Sequence, residues 1–395
     1  MNKPKLKAIA DDLRGVSQLA IDATTGVTDL VEAVHRNITH MRGITASTEN
    51  GRTSGLTGVI YHGVRSITQI VGEGIDKALE HAAPVLGSFS DKPEREHLQS
   101  ALNGVLGDHL HASQNPLAIT MQFRKNNQTL HLHAETLREK IPDITGKLLI
   151  LIHGLCMNDR QWNQTRKDGS KHDHGSALQN DFGYTPVYLH YNTGLNIANN
   201  GAQFSTLLDE LAQVWPVAIE EIVIVAHSMG GLVTRSAHHH AGNLQHSWPA
   251  VTKKIVFLGT PHHGAPLERG GHWFDKLLGA TPYASPFAKI GKIRSAGITD
   301  LRYGHILDTD EAPVPLPTAI QCFAIAGTTS ISEDALHGDG LVPIKSALGV
   351  HEDSKQNLAF PEHHQMILPA TNHIQLLSEQ SAYLAIKKCI EMPDK

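Results

Sequence analysis

The chain is poor in cysteine, in charge and in long apolar runs, and each shortage removes a class of protein. Cys156, Cys322 and Cys389 are the only three cysteines in 395 residues. Odd in number and widely spaced, they build neither a disulfide framework nor a zinc ribbon, and they suit a reducing compartment. Charged residues make up 18% of the chain and hydrophobic residues 40%. That balance excludes wholesale disorder and leaves enough apolar surface for a core. A basic excess is missing too, since 34 Lys+Arg face 39 Asp+Glu for a net charge of -5. No nucleic-acid partner is therefore expected. The most apolar runs, LLILI (148–152) and IVIVA (222–226), are five residues long, against roughly 20 needed to cross a bilayer as a helix. The opening MNKPKLKAIADDLRG turns acidic before any apolar stretch, unlike a secretory signal. A cytoplasmic protein is expected, with peripheral membrane contact as the alternative.

Histidine, by contrast, is abundant at 27 residues, and with a pI near 6.6 the net charge changes sign just below neutrality. The chain divides into two parts. Residues 1–112 read as a helical region: Val27, Leu30, Val34, Ile38 and Met41 recur at three- and four-residue spacing, as do Val64, Ile67, Val71, Ile75 and Leu79. Such stripes must be buried somewhere, and docking on the rest of the chain is expected ahead of a lipid surface. Residues 88–115 read as a linker holding one short helix. In residues 113–395 the period changes to two: ITMQF and TLHLH flank Asn126-Asn127, a hairpin turn. Strands are then expected at 147–155, 186–191, 221–228, 254–259, 322–327 and 365–370, mostly separated by helical stretches. A hairpin feeding alternating strands and helices reads as an α/β fold, a mostly parallel sheet with helices on both faces.

The chemistry concentrates at strand ends. In Val225-Ala226-His227-Ser228-Met229-Gly230-Gly231 a buried strand runs into a serine and a helix begins at once. Small residues two before and two after Ser228 let the backbone turn sharply and lift the hydroxyl above the sheet, beside a helix N-terminus. The structural alternative is an ordinary turn with a capping serine. A serine hydroxyl needs a base, and the base an orienting acid. Downstream, Asp339 sits in His-Gly-Asp-Gly-Leu-Val-Pro and His373 in Thr-Asn-His-Ile after the last strand. Asp334 and Glu333 rival the acid, and His363 and His364 rival the base. His153-Gly154-Leu155 ends an earlier strand, where the Leu155 N–H would pair with that of Met229 as an oxyanion hole; Cys156 is the alternative donor.

These motifs resemble those of the α/β-hydrolase fold lipases and esterases, over roughly Pro116 to the C-terminus. Gly259-Thr260-Pro261-His262-His263-Gly264 is similar to a motif common in bacterial lipases and in the GPI inositol-deacylase group. The elbow of that family usually begins with glycine, where this chain has Ala226, as a subgroup of small bacterial lipases does. The resemblance implies a cap or lid insertion at about 265–317. It also implies a serine carboxylic-ester hydrolase with Ser228, Asp339 and His373 as the triad, acting on a small-molecule or lipid ester without a cofactor. An acyltransferase, an amidase or a non-catalytic binding protein are the alternatives. Histidines at 172/174, 238–240, 262/263 and 363/364 invite a metal, but no ligand motif accompanies them and no metal site is assigned.

Overall fold

The computed structural model describes residue 15 and residues 93–166, 169–264, 295–308, 314–331 and 338–394. Both N-terminal apolar repeats, at 27–41 and 64–79, lie outside these residues, as does most of the expected cap. Two compact units are present, one of Met1–Ile119 with Gly271–Ser295, the other of Thr120–Gly270 with Ala296–Lys395.

In the first unit, the stretch read as a linker is one 20-residue helix, α1 (Pro93–Ala112). Proline at the first helical position sacrifices no hydrogen bond, because that N–H has no partner in any helix. Ala101, Leu102, Val105, Leu106 and Leu110 make a buried stripe, interrupted by Asn103. That asparagine is fully occupied: its amide donates to Leu117 O at 2.8 Å and its oxygen accepts from Ile119 N at 2.9 Å. The stripe and this anchor make a helix of what composition suggests is a connector.

The second unit begins with the hairpin β1 (Gln122–Lys125) and β2 (Gln128–Thr129). Asn126 and Asn127 turn it at φ of 50° and 61°, the left-handed pair that a two-residue turn requires. Then follow α2 (Ala134–Lys140), β3 (Lys147–Ile152), a two-stranded ribbon of β4 (Gln164–Thr165) and β5 (Lys171–His172), α3 (His174–Phe182) and β6 (Thr185–His190). The chain continues through α4 (Ile197–Val214), β7 (Glu221–His227), α5 (Met229–Leu244), α6 (Trp248–Val251), β8 (Thr252–Leu258), α7 (Ala296–Tyr303), β9 (Gln321–Gly327), α8 (Ile344–Ala347), β10 (Gln365–Leu368) and α9 (Gln380–Glu391). The main sheet has the order β10-β9-β8-β7-β3-β6-β1-β2. Its strands from β10 to β6 are parallel, and β1 joins antiparallel to β6. The ribbon was not anticipated, because two-residue strands leave no periodic signal.

Central strands are covered on both faces, so they are continuously apolar rather than alternating. Residues 148–152 and 222–226 are fully buried. Register places Ile152 beside Leu189 and Ala226, and His227 beside Leu258. All the central strands therefore end on one edge, where open α/β sheets bind ligands.

Near that sheet Arg124 Nη1 and Asp159 Oδ1 form a buried ion pair at 2.8 Å, with side chains 7% and 3% exposed. Removing Arg124 takes from Asp159 its close cationic partner in a low-dielectric interior, with His190 Nδ1 standing farther off at 3.6 Å. Arg124→Ala is expected to cost about 3–5 kcal/mol in urea unfolding; a loss below about 1 kcal/mol would show that solvent reaches Asp159.

Candidate active site

Ser228 separates β7 from α5 with φ 54° and ψ −123°. A non-glycine residue held there costs on the order of 1–3 kcal/mol and persists only where its surroundings enforce it. Two glycines supply the enforcement by letting α5 sit against its neighbours. A Cβ on Gly230 would lie 2.7 Å from Ile152 O, and one on Gly231 2.0 Å from Thr260 Oγ1. The Ser228 N–H donates to Leu258 O at 2.9 Å, tying the elbow to the end of β8.

The acid loop is shaped by the glycines flanking Asp339, with φ of 97° at Gly338 and 96° at Gly340. This turn folds the chain back so that Asp339 Oδ1 accepts from Leu341 N at 3.0 Å and Val342 N at 2.8 Å. Oδ2 is left for His373, whose Nδ1 donates to it at 2.7 Å. The His373 N–H donates to Asp339 O at 3.0 Å, a second link between the same two residues. With Nδ1 protonated toward the carboxylate, Nε2 of the neutral ring carries the lone pair that a base needs. Both side chains are buried.

The rival bases sit elsewhere. His364 is buried, donates from Nδ1 to Cys322 O at 3.0 Å and packs on the Phe323 ring at 4.2 Å. It and His363 precede β10, the edge strand three places from β7 in the sheet, whereas His373 follows that strand. The rival acids Glu333 and Asp334 lie outside the described residues.

The loop after β3 passes directly against the elbow. A Cβ on Gly154 would lie 2.9 Å from Ser228 Cβ and 3.4 Å from its Oγ. His153 Nδ1 donates to Gly154 O at 3.0 Å, and its ring stacks on Tyr191 at 4.6 Å. Burial lowers its pKa to about 4, so His153 shapes the loop as a neutral ring. Cys156 stands at φ 59° and gives its N–H to Thr193 Oγ1 at 3.1 Å. The alternative oxyanion donor is thus occupied. Among the described residues, the N–H groups of Leu155 and Met229 have no acceptor, and Met229 is the first residue of α5, where amides point out of the helix unpaired.

Sequence reading assigned no role to Gly259 or Thr193. Gly259 has φ 55°, and a Cβ on it would meet Asp339 Oδ2 at 3.0 Å and His373 Nδ1 at 3.2 Å. Its place in the Gly-Thr-Pro-His-His-Gly motif was visible, but not its neighbours. Gly259→Ala is expected to displace the Asp339–His373 pair and, if that pair serves ester hydrolysis, to lower kcat on a simple ester by about 100-fold. Unchanged kcat would mean that the pair tolerates the methyl. Thr193 carries no motif at all. Its carbonyl also lies 2.2 Å from where a Cβ on Gly297 would stand, so α7, from the far end of the expected insertion, lies close by. No group of three or more histidine, cysteine or acidic side chains suited to a metal occurs among the described residues. His172 and His174 instead bond to each other at 2.7 Å.

Residues 143–310 match the family model described as PGAP1-like alpha/beta domain. No curated protein matches the chain. Solved structures that resemble it include a Bacillus licheniformis lipase, BlEst2, at 17% identity, covering 62% of this chain and 90% of that one with TM-score 0.38. A thermophilic esterase of Thermogutta terrifontis is 14% identical, covering 62% and 90% with TM-score 0.37. An esterase of Pyrococcus furiosus is 15% identical, covering 63% and 81% with TM-score 0.37. Likenesses this distant say nothing about substrate. What the strand order, the elbow and the matched family establish together is that the chain carries an α/β-hydrolase domain, similar over residues 143–310 to the PGAP1-like group.

Proposed function

We propose that this protein is a serine carboxylic-ester hydrolase working through an acyl-enzyme on Ser228. The observation that carries the reading is the strained serine at the end of β7 with a buried Asp339–His373 pair on the same sheet edge. In this mechanism His373 Nε2 takes the Ser228 proton as Oγ attacks the ester carbonyl carbon. Asp339 holds the ring in the right tautomer and stabilises the imidazolium. The amides of Leu155 and Met229 receive the negative oxygen of the tetrahedral intermediate. His373 returns the proton to the departing alcohol, and a water activated on the same nitrogen then releases the acid. No step calls for a cofactor.

Acyl transfer or amide hydrolysis would use the same groups, differing in whether water or another nucleophile resolves the acyl-enzyme. A fluorophosphonate probe that labels the wild-type chain but not Ser228→Ala would support the reading over a non-catalytic binding role. Equal labelling of both would sink it. A series of p-nitrophenyl esters from short to long chain then separates esterase from lipase. A reducing compartment such as the cytoplasm suits the three buried free thiols. No described helix is long and apolar enough to cross a membrane.

A further inference from the structure

We propose that His227, the residue before the nucleophile, is a positioning residue that ties the base His373 to the elbow carrying Ser228. The inference rests on the hydrolase reading of those two residues. His373 lies on the loop after β10, and two of its hydrogen bonds run to Asp339, on the loop after β9. Those bonds orient the ring toward the acid and run to the loop after β9, not to β7. The third bond runs to β7: His227 Nε2 donates to His373 O at 3.0 Å. Among the described residues it is the hydrogen bond that joins the end of β7 to His373.

The donor's direction is fixed by chemistry. A carbonyl oxygen only accepts, so Nε2 carries the proton and Nδ1 the lone pair. The His227 side chain is fully buried, its ring lies 4.6 Å from that of His373, and its backbone is locked in register beside Leu258. Nucleophile and brace are consecutive residues, so a shift of one carries the other, and Oγ and the base move together. Burial and the nearness of His373 hold the His227 pKa well below the usual histidine value. It therefore donates as a neutral ring, without placing a second cation beside the imidazolium formed during the reaction.

A purely structural ring would be replaceable by phenylalanine, with any loss read in stability. A positioning bond predicts a loss in kcat that a donor of the right reach restores. Glutamine can bring its Nε2 close to the position of the imidazole Nε2, whereas asparagine falls short. Full-length wild type, His227→Phe, His227→Gln and His227→Asn would be compared for kcat and KM on p-nitrophenyl butyrate, fluorophosphonate labelling rate and Tm. The Phe and Asn variants are expected to lose about 100-fold in kcat with KM within about three-fold of wild type. The Gln variant should stay within about ten-fold of wild type, because its amide restores the bond. If Phe fails to fold, the Asn–Gln pair decides. Wild-type turnover in the Asn variant, or Gln no faster than Asn, overturns the proposal. A wild-type chain that the probe does not label overturns the hydrolase reading beneath it, and is distinguishable because no variant is then needed.

Discussion

Ser228→Ala is expected to lower ester turnover by about 10⁶-fold, the scale for losing a triad nucleophile, while Tm stays within a few degrees of wild type. The two halves of that expectation have separate causes. Chemically, alanine removes the only atom at this position that can attack. Structurally, it keeps the Cβ, so the positive φ of residue 228 and its N–H bond to Leu258 O are unchanged. Hydroxyl loss is expected to cost little stability, because on the proposed reading the strain at Ser228 serves the reaction rather than the fold. Residual turnover should be insensitive to a second change at His373, because a base without a nucleophile has nothing to activate. Turnover above a tenth of wild type in Ser228→Ala would transfer the chemistry to another residue.

Stability should fall steeply on mild acidification. His153, His174, His227 and His262 are all fully enclosed, and burial is the first cause of depression for each. The pKa of His153 falls to about 4 and that of His174 to about 3, while His227 and His262 lie well below the ordinary value. Above about pH 6.5 these rings are neutral in both folded and unfolded chains and contribute nothing to the pH dependence. Below it the unfolded chain binds protons that the folded interior refuses, so the unfolded state gains. The loss continues until pH reaches the folded-state values. Each ring contributes a little over 1 kcal/mol per pH unit, so four approach about 5 kcal/mol per unit. Against a typical stability of about 5–15 kcal/mol, acid unfolding is expected near pH 5. Fluorescence of the fully buried Trp162 and Trp248 would follow it. His262→Phe should flatten the slope, since His262 packs against Phe257 and Phe360 and neither ring nitrogen has a partner among the described residues. Urea midpoints equal at pH 7 and pH 5 would show that these rings reach water.

Much of the site was legible because its parts are local. A buried strand needs an apolar run, and the runs at 148–152 and 222–226 are the sheet's centre. An elbow needs small residues around a serine, and Gly230 and Gly231 could be found from that pattern alone. The acid loop needs two glycines at positive φ around one carboxylate, so Gly338-Asp339-Gly340 announced itself. The linker reading of 88–115 failed for the opposite reason. Asn103 and Gly104 inside α1 argue against a helix locally, and the buried stripe together with the bonds from Asn103 to residues 117 and 119 reverses that.

By itself, then, the sequence determined the alternation of strands and helices, the elbow at Ser228 and the glycine-flanked loop of Asp339, because each is written in neighbouring residues. The tertiary structure alone decided which carboxylate meets His373, why Cys156 N–H is spent on Thr193, and that Gly259 and His227 border the Asp339–His373 pair. Those contacts join residues far apart in the chain, 146 positions in the case of His227 and His373. Strand register, set by the packing of the whole sheet, brings them together, and no local pattern of residues encodes it.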